Sequence, residues 1–214
     1  DLIEARAIAC GSVLVCEPSA DGGAVKIARK GTGTFEVVVH GKASHAGLEP
    51  EKGVNALVAA AELITHIATF GDLSTATTVT PTVAVAGTVD NVVPAEVRVK
   101  VDVRVEQPGE KERLEGLFAS LVTSVPGATI EVLGGINRPP MPASASATLF
   151  PVAVAAAAAA GLGEVRGVGV GGGSDGNFTA ARGVPTLDGL GAVGGGAHAD
   201  HEFVLVDTMV ARAR

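Results

Sequence analysis

His198, Asp200, His201 and Glu202, two imidazoles and two carboxylates, fall together in the glycine-rich run GGGAHADHE, where backbone freedom is highest. The run follows VPTLDGLG, which reads as a buried strand, and functional residues are commonly carried on loops held by such a scaffold. Ahead of it, SDGNFTAARG reads as a short capped helix: Ser174 or Asp175 offers a side-chain oxygen to free amides, and Gly183 supplies the stop. Residues 169–202 are therefore the stretch around which the chain is organised. Glu17 is the other isolated candidate. It closes the apolar run of residues 7–17, which reads as a core strand with the carboxylate at its C-terminal tip, where open α/β sheets place ligands. A solvated strand end is the plainer reading of the same residue. His45, in the loop KASHAGLEPEKG, reads by itself as a surface histidine.

Residues 167–172 also fit G-x-G-x-x-G, with Asp188 near the offset of a ribose-binding acid. The glycine run continues through Gly173 and no regular βαβ alternation surrounds it, so a dinucleotide site is not expected.

The elements that must position these residues follow from periodicity. Phe35, Val37 and Val39 alternate with Glu36, Val38 and His40, as in a strand. Residues 54–70 carry Leu57, Ala60 or Ala61, Ile64 and Ile67 at helical spacing. Residues 77–86 and 95–106 are Val- and Thr-rich strands separated by the turn GTVDNVVP; Pro108 opens a second helix running to about Ser124; GATIEVLGG is a short strand. This βαββαβ order predicts a ferredoxin-like insert over residues 31–135. Residues 1–30 and 136–214 form the rest of an α/β fold, joined through the proline-stiffened NRPPMPA. The alanine-rich residues 144–160 read as a helix in which Pro151 imposes a kink or a late start. A final helix begins near Asp207.

A chain of 214 residues with 47% apolar content can bury a sizeable core. The net charge of −7 and scattered Lys and Arg leave no basic stripe for nucleic acid, and no unbroken apolar run reaches a membrane span. No signal peptide is visible, and two cysteines, Cys10 and Cys16, fit a reducing cytoplasm. Trp and Tyr are absent, which removes the usual aromatic stacking platforms.

Six segments in order, GKASHAG (41–47), P-x-x-G-V-N-A (50–56), NVVPA (91–95), VDVR (101–104), GGGSDGNF and GGGAHADHE, together resemble the co-catalytic dizinc metallopeptidases that include glutamate carboxypeptidase (carboxypeptidase G), aminoacylase, carnosinase and succinyl-diaminopimelate desuccinylase. CEPSADGG, NRPPM and GVPTLDGLGAVG are most similar to the glutamate carboxypeptidase branch. The resemblance implies a zinc-binding α/β catalytic domain interrupted by a ferredoxin-like lid that also forms a homodimer. It further implies zinc ligands at Glu17 and His198, with Asp200, His201 and Glu202 outside the ligand set. His45 matches the lid histidine that reaches the partner's site and polarises the scissile carbonyl, and Asn91 matches the asparagine beside it. Arg104 matches the arginine gripping the substrate carboxylate, a task suited to its bidentate fork; Arg138 is a second candidate for that anion. Gly173, within the loop of residues 171–174, would line the pocket with backbone amides, and His40 and His66 match nothing functional. The expected substrate is a small peptide or N-acyl amino acid, glutamate being one possible product.

The family's remaining features, an H-x-D motif, a bridging Asp and a Glu-Glu pair with the general base, all precede the Glu17 position. Residues 1–16 hold only Asp1 and Glu4 as acids and no histidine. The chain therefore reads as the second half of such an enzyme, silent by itself. The alternative is a non-catalytic dimerisation or assembly module.

Overall fold

The computed structural model describes residues 2–107 and 109–213. In chain order the elements are α1 (Leu2–Ile8), β1 (Val13–Leu14), β2 (Val25–Arg29), β3 (Gly31–His40), α2 (Ala56–Ile67), β4 (Thr78–Ala86), β5 (Glu96–Val105), α3 (Glu110–Ala119) and β6 (Thr129–Arg138). They continue with α4 (Leu149–Ala159), β7 (Gly167–Val170), α5 (Gly176–Ala181), β8 (Thr186–Leu187), β9 (Gly194–Gly195), β10 (Phe203–Val204) and α6 (Val206–Arg212). The chain divides into two compact units, Thr32–Asn137 and the pair of segments Asp1–Gly31 and Arg138–Arg214.

The unit of residues 32–137 is the ferredoxin-like lid. Its four strands lie in the order β4-β5-β3-β6, with β4 antiparallel to β5, which is the sheet order the split βαββαβ connection requires. β5, EVRVKVDVRV, shows why a strand forms here. Val97, Val99, Val101, Val103 and Val105 are all buried on one face, while Arg98, Lys100, Asp102 and Arg104 occupy the other. Both helices cover the apolar face: Ala56, Ala59, Ala60, Leu63 and Ile67 of α2 and Leu114 and Phe118 of α3 join Phe35, Val37 and Val39 in one core. The Phe35 and Phe118 rings stack at 3.9 Å between centroids.

Three local expectations shift. Of the positions expected to face the core in α2, Ala60 and Ile67 are buried and Ile64 packs against it, but Leu57 is 46% exposed and Ala56, Ala59 and Leu63 complete the stripe; Asn55 caps the helix through the Leu57 and Val58 amides. The second helix ends at Ala119 rather than near Ser124; the Glu62 carboxylate accepts hydrogen bonds from the Ser124 amide and from the Thr123 and Ser124 hydroxyls, holding that segment out of the helix. The proposed opening residue, Pro108, lies outside the described residues. β4 breaks register between Pro81 and Val83, a bulge where proline is tolerated on an edge strand, and leaves Val83 and Val85 exposed.

In the other unit, β1 pairs in parallel with β8 and β2 in parallel with β7, while Lys26 and Asp188 bridge β2 to β8 antiparallel. The core strand expected over residues 7–17 is shorter than the apolar run. Ala7 and Ile8 belong to α1, which Glu4 ties to Arg182 at 2.7 Å, and only Val13 and Leu14 are in the sheet. Residues 144–160 show the late start: a 3-10 turn, Ala143–Ser146, precedes α4, which places Pro151 in the first turn, where a missing N–H costs no helical bond. No helix among the described residues is long and apolar enough to cross a membrane.

Candidate active-site residues

In the lid, the loop after β3 runs antiparallel to residues 91–95. The Gly41 amide donates to the Ala95 carbonyl, Val93 to Ser44, and Ala46 to Asn91, so His45 and Asn91 stand side by side. Glycine is required at position 41, because any Cβ there would strike the Val54 carbonyl. His45 is exposed, and its Nδ1 accepts hydrogen bonds from the Gly47 and Leu48 amides, both at 3.1 Å. An Nδ1 used as acceptor puts the proton of the neutral ring on Nε2, which leaves Nε2–H as an outward donor.

Arg104 lies near the other end of the lid sheet, on its uncovered face. Its Nε and Nη2 donate to the two oxygens of Asp102 at 2.8 and 2.7 Å, which raises the Arg104 pKa above its ordinary value. Successive strand residues advance about 3.3 Å. Glu96, where the His45–Asn91 corner begins, and Arg104 are therefore separated by roughly 26 Å of β5. One lid does not bring His45 and Arg104 together.

In the other unit, Glu17 is exposed just beyond β1, with its carbonyl accepting from the Gly191 amide at 2.8 Å. A side chain at Gly191 would collide with the Cys16 and Glu17 carbonyls, so the glycine permits this close approach. His198 is exposed in the loop between β9 and β10 at φ 65°, an uncommon conformation for a non-glycine residue, and its amide donates to Glu202 at 3.4 Å. Among the described residues, no three His, Cys, Asp or Glu side chains gather as a metal site. A catalytic zinc takes three protein ligands, so the donors among the described residues do not fit the ion by themselves.

Arg138 contacts Asp175 at 3.6 Å and lies 5.0 Å from the centroid of the Phe178 ring. Gly173 sits in a loop that is fixed from below. Arg29, buried, donates through Nε to Asp188 at 2.7 Å, through Nη2 to its other oxygen at 3.1 Å, and through Nη1 to the Gly172 carbonyl at 2.8 Å. Asp188, fully buried, also accepts from the Ser174 hydroxyl and the Gly189 amide. Ser174 in turn receives the Gly176 amide at 3.1 Å, the cap expected of it. This network fixes the loop and is not declared by any sequence motif: Asp188 stands near the offset of a ribose-binding acid, but its carboxylate is wholly engaged by Arg29, Ser174 and Gly189. The usable signal was a lone acid inside an apolar strand, which demands a buried cation. A cleft of about 490 Å³ opens over β2 and β7, lined by Lys26, Arg29 and Arg166; Gly172 of the candidate glycine loop reaches it, while Glu17, Arg138, Gly173 and His198 do not line it. Burial and the adjacent Arg29 lower the Lys26 pKa.

Residues 27–129 match the peptidase dimerisation domain of the M20 type, a match that falls largely on the ferredoxin-like unit. It is 34% identical to carboxypeptidase G2 of Pseudomonas sp. (strain RS-16) over 99% of this chain and 52% of that protein. Aminopeptidase PepT from Bacillus cereus superposes with a TM-score of 0.75 at 24% identity, over 95% of this chain and 55% of the other. An aminobenzoyl-glutamate utilization protein from Klebsiella pneumoniae does so with a TM-score of 0.60 at 26% identity, over 82% and 48%. The chain thus spans about half the length of these relatives.

Proposed function

We propose that the protein carrying this chain is an amidohydrolase of the carboxypeptidase type, releasing an amino acid with a free carboxylate, glutamate foremost, from a peptide or N-acyl substrate. We further propose that each of its sites is shared between two subunits of a homodimer joined through the lids. The observation that carries the shared site is the length of β5: an N-acyl amino acid is far shorter than the separation between the His45–Asn91 corner and Arg104. One substrate can meet both only if the two come from different lids. Relatives named carboxypeptidase G2 and aminobenzoyl-glutamate utilization protein support the choice of glutamate.

On this reading, Arg104 binds the substrate carboxylate with parallel charged hydrogen bonds, and His45 of the partner subunit donates Nε2–H to the oxygen that becomes negative as the carbonyl is attacked. The donor is oriented before substrate arrives, because two backbone amides hold Nδ1. The glycine loop offers backbone amides without side-chain obstruction. Zinc is the metal this chemistry calls for, with Glu17 and His198 as contributing donors. The other ligands and the general base are assigned to a segment outside residues 1–214.

A second reading, a dimerisation module without catalysis, is favoured by the self-contained lid core. Hydrolysis of N-acyl glutamate separates the two. The 214-residue chain is expected to show no turnover with added zinc, and a protein that also carries the H-x-D and Glu-Glu segments is expected to turn over. Zinc-dependent turnover by the chain alone would refute the assignment of ligands; inactivity of the longer protein would favour the module.

A further inference from the structure

Four arginine and acid residues on the uncovered face of β5 form two pairs of the same spacing. Glu96 with Arg98 and Asp102 with Arg104 are both i, i+2 neighbours, which a strand places on one face. In each, the guanidinium Nε donates to the acid at 2.8 Å. The pairs differ in what else they touch. Arg98 also reaches Glu36 through Nη1, at 3.5 Å, so both edges of its guanidinium are met by carboxylates. Arg104 uses only the Nε–Nη2 edge, on Asp102, and among the described residues nothing accepts from its Nη1. The pair is also less exposed, the side chains being 34% and 37% accessible against 46% and 48% for Arg98 and Glu96.

A guanidinium offers two edges on which a carboxylate can sit in parallel. We propose that Asp102 is a positioning residue: by occupying the Nε–Nη2 edge, it holds the Arg104 guanidinium with its Nη1–Nη2 edge outward, and so selects substrates that end in a free carboxylate. The inference rests on the proposed role of Arg104. Asp102 does not compete with the substrate, because the two carboxylates use different edges. It also removes side-chain freedom that substrate binding would otherwise have to quench, which is the benefit of a preorganised fork. Thr78 and Thr80, opposite Arg104 and Asp102 on β4, are small and uncharged, so the outward edge meets no competing acid from the neighbouring strand.

The test is steady-state kinetics on the complete enzyme with N-acyl glutamate and with the same compound amidated at its α-carboxylate. Asp102→Asn is expected to raise KM for the carboxylate substrate about tenfold or more, to leave kcat within about twofold, and to leave the amide substrate's KM unchanged. Asp102→Glu is expected to restore most of the affinity, since Glu96 shows that the longer acid makes the same contact at this spacing. A rise in KM that is equal for acid and amide, or a parallel fall in kcat, would mean that Asp102 merely supports the strand and would overturn the proposal. An enzyme sensitive to Arg104→Met but indifferent to Asp102→Asn overturns this inference alone. Indifference to Arg104→Met overturns it together with the reading on which it rests.

Discussion

Asp188 carries a negative charge into a fully buried position, and three donors beside it make that tolerable. Burying such a pair gains little over an apolar pair, but removing one partner strands the other. Asp188→Asn is therefore expected to cost about 3–5 kcal/mol in urea unfolding of the chain, and the double variant Arg29→Met/Asp188→Leu to lie closer to wild type than either single change. A double variant at the sum of the single losses would contradict this account. The need for a cation was legible in the sequence VPTLDG, but the partner, 159 residues distant, was not. At Arg104 the residue type is what matters: Arg104→Lys keeps the charge and loses the fork, so it is expected to raise KM far more than Lys100→Arg on the same face. Equal kinetics for the two would remove Arg104 from the site.

Among elements, β5 was the most readable, because a strict two-residue alternation of valine with charge admits one structure. α2 was readable as a helix, with Ala60 and Ile67 buried as spaced and Leu57 the misplaced position. Its alanines at positions 59, 60 and 61 allow several stripes, and packing against the sheet, which the local sequence does not declare, decides among them. The end of α3 was not readable either, since the Glu62 side chain that fixes it lies on another helix. The start of α3 also holds the lid's most perturbed acid. Glu110 receives hydrogen bonds from Arg113, foremost, and from Thr77 and Thr75, and its pKa falls from 4.5 to about 2. A carboxylate with a depressed folded pKa contributes stability that is complete above its unfolded pKa and lost as pH falls through the folded one. The lid should therefore lose stability between about pH 4.5 and pH 2, by no more than about 3 kcal/mol from this group. Urea unfolding at pH 6 and pH 3 checks it: the loss on acidification is expected to shrink in Glu110→Gln, and an unchanged loss would contradict the assignment.

For the whole molecule, the ferredoxin-like order was legible because each of its elements is declared locally, whereas a metal centre is declared by donors gathered from distant segments. Glu17 and His198 illustrate the difference. Their family resemblance is specific, yet among the described residues no three such donors gather as a metal site. Assembly is the other property of this scale. β4 is an edge strand whose Val83 and Val85 are 48% and 64% exposed, an arrangement that invites a second chain unless charge is placed there. Val83→Lys with Val85→Lys is expected to turn a dimer into a monomer in sedimentation, and a dimer that persists would move the interface elsewhere.

The shared site itself is tested most directly by mixing two inactive variants of the complete enzyme, His45→Ala and Arg104→Ala, under conditions that exchange subunits. If His45 acts across the dimer, each mixed dimer rebuilds one site from the intact Arg104 of one subunit and His45 of the partner subunit. Random exchange should then restore about a quarter of the wild-type activity. If His45 and Arg104 serve the same site from one lid, no combination rebuilds it, and a mixture as inactive as its components would contradict the account.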